Sequence, residues 1–468
     1  MRHYLRDRSC MKKTLFLFLL NCSVLAAQIM PAPTELPGDP FFIKQAWHVG
    51  GNGDSLNAMV LDPVRLQLVL ASRNAVVAED VKSGVVTGKI SETQGAFGIA
   101  LDNTNEFGYL SDSLYNHVVV FDQRALRAVG RIHTAPNPTT VLFEAASGLI
   151  FVVCNVPAPG SRGYLNFTER PWMRTDVAVP PLSRSTQARP TPRAAPARPT
   201  AHNSQSGMAA KDENFSVVTV IDANTWRDLA DIKLPGHIAF VQTAGDGKIY
   251  VSIPDHKEIV RLDAEMLGEK LRREVADTGI PPEHTPKEVQ LRTGQPFAPG
   301  PDWPRVSVQT LDWSGSRKSD EFRDGAILIF PMDRDCSEPN ALAIDIRHVK
   351  LFVSCEKMRM SVLDANTGQL VTTLPTGPAT NALAYDADRG LIYAANSGGN
   401  GSLTIIRQHI SDSYAVIQNL PTDHWARALL SDPGTGLVYL ATDYSDPEGK
   451  KLPSDPAPRG FQLLVIGH

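Results

Sequence analysis

The chain has 468 residues, 42% of them hydrophobic and 7% aromatic, which is enough to bury a sizeable core in one to three domains. Its formal net charge of −4 gives no general attraction for nucleic acid or for anionic membranes. These values exclude association by bulk charge and leave a soluble globular chain.

The N-terminus carries the first specific signal. Met11-Lys12-Lys13 is a short basic stretch, and Thr14 to Ala27 is an apolar run that ends in the small pair Ala26-Ala27. That order predicts a secretory signal peptide over residues 1–27, with the true start at Met11. The run is shorter than the ~20 apolar residues a spanning helix needs, so the mature chain is expected to lack a transmembrane segment. Cys22 raises lipid attachment, against which Asn21 before it is a poor match for the small residue such a signal wants. Residues 28–41, with Met30-Pro31-Ala32-Pro33, read as an extended lead-in or tether. The expected location is periplasmic or secreted.

Beyond the lead-in, one unit repeats. Asn57-Ala-Met-Val-Leu-Asp62, Asn340-Ala-Leu-Ala-Ile-Asp345 and Asn381-Ala-Leu-Ala-Tyr-Asp386 are short apolar strands that each end in an acid. Seven residues after each acid an apolar residue stands in a second strand: Val69, Phe352 and Tyr393. The same step joins Asp102 to Tyr109, Glu144 to Phe151 and Asp432 to Tyr439, and a looser copy joins Thr243 to Tyr250. Turn formers fill the gap, as in Asp432-Pro-Gly-Thr-Gly436. A third strand follows, ending at Asp122, Asp222, Asp263 or Asp364, and then a fourth, such as Gln369–Pro375. Four strands in about 40 residues make one propeller blade. The acids are spaced by 40, 42, 99, 102, 41 and 46 residues, so two intervals hold a blade plus an insertion.

The ends complete the count. The chain finishes on a third strand, Phe461–Ile466, while Phe42–Trp47 precedes the first repeat and has no blade of its own. If it supplies the missing outer strand, the ring closes with no open edge. The prediction is an all-β, seven-bladed β-propeller over 42–468, closed by its N-terminal strand. Blocks such as Leu391-Ile-Tyr-Ala-Ala-Asn396 and Leu351-Phe-Val-Ser-Cys355, each followed by a strand, the latter's running into Asp364-Ala-Asn-Thr-Gly368, resemble the YVTN repeat of YncE-like bacterial propellers. The resemblance covers residues 42–468 apart from the insertions. It implies the fold and a family of surface-layer repeats and periplasmic binding propellers, with relatives among lactonases and quinoprotein subunits.

The first insertion, 156–213 in blade 3, is rich in Pro, Ala, Arg and Ser and offers almost nothing to bury, so disorder is expected. Its arginines suit either an arm for an anionic polymer or a tolerated loop expansion. The second, 267–325 in blade 4, starts with a charged helix-like stretch, Met266 to Val275, and ends near Trp303, Val306–Val308 and Trp313. The two emerge on opposite faces of the ring.

Once the leader is removed, Cys154, Cys336 and Cys355 remain. Export permits a disulfide. Cys336 sits before the first strand of blade 5 and Cys355 ends the second, so these antiparallel neighbours are the expected bridge. Cys154 is then a small buried hydrophobe.

Propellers place functional groups where the innermost strands begin. Around the ring those positions hold Asn57, Gly98, Thr139, Ile238, Asn340, Asn381 and Arg427, with Asp54, Ser55, His237, His424 and Trp425 nearby. Such a mouth suits a polar or anionic small ligand, or a divalent cation held by oxygen atoms. The same Asn and Gly also suit turn geometry. No GxSxG, HExxH, P-loop or haem motif occurs, so no catalytic residue is assigned. The recurring acids are assigned to turns. The reading that results is a monomeric exported binding or scaffold protein without a cofactor, its partner a small polar ligand or a protein at the propeller face. The alternative is a metal-dependent hydrolase of the lactonase or gluconolactonase type, using Asn57, Asn340 and Asn381. Nucleic acid is not an expected partner, because the Arg-rich arm lacks interleaved aromatics.

Overall fold

The computed structural model describes residues 30–35, 38–49, 56–72, 75–90, 93, 95–156, 215–277, 309–312, 325–410, 412–423, 426, 428–443 and 461–468. The leader at 1–27, most of the insertion at 156–213, Asp54, Ser55, His424, Trp425 and Arg427 lie outside the described residues.

The seven-residue step is the mechanical unit of the fold. Each acid turns its carboxylate back onto the chain that follows. Asp62 Oδ1 accepts the backbone N–H of Val64 and Arg65, both at 3.0 Å, and Asp386 Oδ1 does the same for Asp388 and Arg389. Glu144 reaches Ala146 and Ser147 with its longer side chain. Four residues after the acid, or after Thr243 in blade 4, the backbone turns left-handed in all seven blades, at Leu66, Glu106, Gly148, Gly247, Val349, Gly390 and Gly436. Only four of these are glycine, so the acid cage imposes the conformation even on the β-branched Val349. The chain then re-enters as the second strand. Three residues further in, Val69, Tyr109, Phe151, Tyr250, Phe352, Tyr393 and Tyr439 are all buried.

Several of these side chains pin one blade to the next. Tyr250 of blade 4 donates its hydroxyl to the Ala365 carbonyl of blade 5 at 3.0 Å, and Tyr439 of blade 7 reaches Val81 of blade 1 at 3.1 Å. Burial pushes both phenols up to about 12, so they remain donors throughout the physiological range.

Seven sheets follow in order. Blade 1 holds the strands Leu56–Asp62, Gln67–Ser72, Val76–Asp80 and Val86–Ile90; blade 6 holds Thr380–Asp386, Leu391–Asn396, Ser402–Gln408 and Tyr414–Pro421. Blade 7 has only three consecutive strands, Ala428–Asp432, Leu437–Asp443 and Phe461–Gly467. Its outer strand is Phe42–Val49, antiparallel to Phe461–Gly467 with Phe42 opposite Gly467 and Val49 opposite Phe461. The first strand therefore closes the last blade, as the sequence predicts.

Closure extends further back than predicted. The lead-in is docked and does not hang as a tether. Thr34 N donates to Val416 O at 2.8 Å, and Val416 N donates to Thr34 Oγ1 at 3.1 Å. Glu35 pairs with Arg407 at 2.7 Å and His409 at 2.8 Å. Gln418 holds both the N–H and the carbonyl of Phe41, whose ring is buried edge-on against Tyr393. Residues 30–35 and Phe41 thus cover the outer edge of blade 6, which would otherwise present open backbone groups.

The second insertion begins as a helix, Ala264–Asp277, slightly ahead of the predicted boundary. It packs across the seam between its own blade 4 and blade 3, sharing one apolar cluster with both. Arg272 pairs with Asp222 at 2.5 Å and donates to the Ser147 carbonyl at 2.7 Å, while Leu267 and Leu271 are buried with Leu149. A four-residue strand, Gln309–Asp312, adds in parallel to the outer strand Arg227–Pro235 of blade 3. Val306–Val308 and Trp313 lie outside the described residues.

Candidate functional site

The strand directions define two faces. Turns between first and second strands, and between third and fourth, lie on one, the turn face. The starts of the innermost strands lie on the other, the rim. Val156 and Phe215 flank the first insertion at the rim, whereas the helix Ala264–Asp277 leaves from the turn face.

At the rim four innermost strands share one irregularity. The ladder with the second strand skips a residue at Asn57, at Thr139 and at Asn381, and at the pair Phe97-Gly98 in blade 2. A bulge leaves that residue unpaired and re-aims its side chain. Three of the predicted mouth positions are therefore equivalent in backbone as well as in sequence. Gly98 has a packing role instead: a Cβ there would lie 2.6 Å from Val141 N and 2.7 Å from Thr139 O, so only glycine lets blades 2 and 3 approach. In blades 4 and 5 the innermost strands are shorter, Phe240–Thr243 and Leu342–Asp345, which puts Ile238 and Asn340 in the connectors before them.

The half-buried polar residues are held by neighbours. Asn57 Nδ2 donates to the Ala96 carbonyl of blade 2 at 2.8 Å. Asn381 Nδ2 donates to Ser397 Oγ at 2.8 Å, and Ser397 in turn donates to the Ala379 carbonyl at 3.1 Å. Thr139 donates to Val153 O at 3.2 Å. Asn340 N donates to Ser354 O at 3.0 Å, and Ser354 Oγ accepts the Ala341 N–H at 2.9 Å. His237 is exposed, with its backbone N–H on Asp255 Oδ2 at 2.8 Å.

Cys336 and Cys355 are joined by a disulfide with Cα atoms 4.8 Å apart, while Cys154 is a buried thiol outside that bridge, packed among the apolar residues of blades 2 and 3. The bridge ties the connector that carries Asn340 to the rim end of a second strand. Beside it Glu338 shares a hydrogen bond with Glu356, and the contact with that second carboxylate raises the Glu338 carboxyl above its ordinary range. Ser337 Oγ donates to Glu356 at 3.1 Å. Among the described residues no group of three or more His, Cys, Asp or Glu is placed to hold a metal ion.

Sequence reasoning missed two features. The supporting serines, Ser354 and Ser397, sit on or just after second strands, where a hydroxyl looks like an ordinary strand residue. Glu79 is the second. It is 1% exposed, and burial raises its carboxyl to about 7. In blades 2 to 5 the residue before the terminal acid of the third strand is Phe121, Ile221, Leu262 or Leu363, so aligning those strands would have exposed it.

No protein-family model matches the chain, and no curated protein matches it in sequence. The fold is similar to two solved structures. One, titled "Structure of U3-55K", matches at a TM-score of 0.53 and 6% identity over 90% of this chain and 98% of that one. The other, titled "Crystal structure of RRP9 WD40 repeats", matches at 0.53 and 7% identity over 94% and 100%. Identities this low speak for the architecture alone: the chain is a seven-bladed β-propeller with WD40-repeat structural neighbours.

Proposed function

We propose that the protein is an exported, YncE-like binding propeller that takes its ligand at the rim where the innermost strands begin. The observation that carries this reading is the set of equivalent bulges at Asn57, Thr139 and Asn381. A repeated bulge costs ladder hydrogen bonds, and here each one aims a polar side chain at the same end of the ring. Asn340, at the disulfide-tied connector, adds a fourth polar group at that end. His237 lies in the connector before the innermost strand of blade 4, and the reading extends to His424, Trp425 and Arg427 on sequence grounds. Export rests on Met11–Ala27, and the YncE-like assignment on the Leu351–Cys355 and Leu391–Asn396 blocks.

The test is a screen of small polar and charged molecules against the alanine methyls in NMR. Shifts concentrated at Ala58, Ala96, Ala341 and Ala382 on the rim are expected. Hits confined to Ala125, Ala145 and Ala387 in the turns would sink the reading. Cell fractionation with N-terminal sequencing checks export, which predicts a mature start after Ala26 or Ala27.

A further inference from the structure

We infer that Glu79 is a proton-operated latch on the seam where the ring closes: neutral, it seals blade 1 against blade 7; ionised, it opens that seam and frees the strand Phe42–Val49. The latch is independent of what the rim binds.

Each blade presents one side chain of its third strand to the blade before it, from the position paired with the second residue of its second strand. In blades 2 to 7 that residue is Phe121, Ile221, Leu262, Leu363, Ile406 and Ile466. All six are buried, and each belongs to the apolar cluster shared with the preceding blade. In blade 1 the same position, paired with Leu68, holds Glu79. One seam in seven therefore carries an ionisable plug, and it is the seam between blades 7 and 1.

The surroundings of Glu79 are built for a neutral group. Leu68, Val77 and Val81 share its face of blade 1, and blade 7 and the first strand bring Tyr439, Val465 and Trp47 to the same apolar cluster. Tyr439 is the titratable member, and it stays protonated with its hydrogen on the Val81 carbonyl. The carboxylates that bear on Tyr439, Asp80 and Asp432, are held in their own turns, by the Lys82 and Ser83 N–H groups and by Gly434 N–H and the Thr435 hydroxyl. Glu79 Oε2 has no hydrogen-bond partner among the described residues. A buried carboxylate without donors is unfavourable, so burial holds the proton on Glu79 up to about 7. Once the seam parts, the group meets water and titrates near its ordinary 4.5. Opening is therefore favoured progressively as pH rises from about 4.5 to about 7, and levels off beyond.

The seam can part here without unfolding a blade. Blade 7 takes its outer strand from the other end of the chain, so unzipping Phe42–Val49 from Phe461–Gly467 leaves the other six sheets intact. Trp47 ties that strand to blade 1, because its ring covers Gly84, where a Cβ would strike it. Unzipping turns the fully buried Phe461–Gly467 into an open sheet edge.

The experiment is hydrogen–deuterium exchange of the full chain between pH 5 and pH 8, corrected for intrinsic amide chemistry. Opening read at Phe42–Val49 and Phe461–Gly467 is expected to rise on the order of 70-fold across that range, with a much smaller rise at Leu149–Val156 and Lys350–Cys355. Glu79→Gln keeps the shape but cannot ionise, and should remove the extra rise. Glu79→Leu, the residue type of the other seams, should remove it and also slow exchange at pH 8; it decides the matter if the Gln variant does not fold. An equal rise at all four segments would show that Glu79 acts on global stability and no seam opens. An unchanged rise in the variants would show that another group drives it. Either result overturns the latch.

Discussion

The two faces of the ring are built from the same strands and behave differently. On the turn face the acid, the left-handed residue and the buried residue of the second strand recur blade after blade. On the rim the bulges keep the backbone alike while the residues vary, from Asn57 to Gly98, Thr139 and Asn381. Repetition of both residue and contact marks a structural role, and repetition of backbone with varied residues marks a place where each blade uses the same bulge differently. The acids illustrate the first case: buried, partnered and facing their own turns. The rim bulges illustrate the second.

Four measurements bear on that contrast. The largest effect is expected from deleting residues 30–49, which removes the outer strand of blade 7 and the cover of blade 6 together. The ring should lose cooperative unfolding in thermal melts, and an unchanged melting temperature would refute closure by the first strand.

Glu79 should give the next largest effect. It lies opposite Leu68, which belongs to the apolar cluster joining blades 7 and 1, so its carboxyl faces the closing seam. Its carboxyl is raised from 4.5 to about 7 in the fold. The folded chain therefore keeps a proton that the unfolded chain releases, and stability falls as pH rises from about 4.5 to about 7, then levels off. Glu79→Leu should stabilise the protein at pH 8 by on the order of 3 kcal/mol, with a smaller gain at pH 5. Equal gains at both values in chemical denaturation would show that the carboxyl does not titrate in this window.

A turn acid comes third. Asp386→Ala removes a buried acceptor of two backbone N–H groups and the partner of Arg389 at 3.0 Å, and should cost about 2 kcal/mol in denaturant unfolding. Rim binding should be unaffected; a parallel loss of rim binding would erase the distinction between the faces.

The smallest effect concerns strain. Val349 holds a φ of 56° that a β-branched residue adopts at a cost. Val349→Gly relieves it and should leave stability within about 1 kcal/mol of the parent, since the lost apolar contact offsets the relief. A loss of several kcal/mol would mean that packing, not the acid cage, sets this turn.

The fold was legible because a propeller repeats its constraints. The cage needs a side-chain oxygen, an acid in six blades and Thr243 in blade 4, then four turn residues and a re-entering strand, so the seven-residue step is a physical requirement that the sequence must write out in every blade. Closure was legible for a related reason: Phe42–Trp47 and Phe461–Ile466 are each incomplete alone. The bridge between Cys336 and Cys355 followed from strand adjacency within one blade. What sequence could not supply was direction. The bulges at Asn57, Thr139 and Asn381 come from a one-residue slip in pairing, and no residue type announces it. Whether an amide offers its NH2 or its carbonyl depends on the Ala96 and Ala379 carbonyls, which other segments bring close only in the folded ring. The docking of residues 30–35 on blade 6, and the reach of the helix Ala264–Asp277 from blade 4 onto blade 3, are contacts between segments far apart in sequence, and a local pattern holds no record of them. By itself, then, the sequence determined seven blades, their turns and their closure, because each is a local periodic constraint. The tertiary structure alone decided which rim atoms face outward, because hydrogen-bond direction is set by partners from other blades.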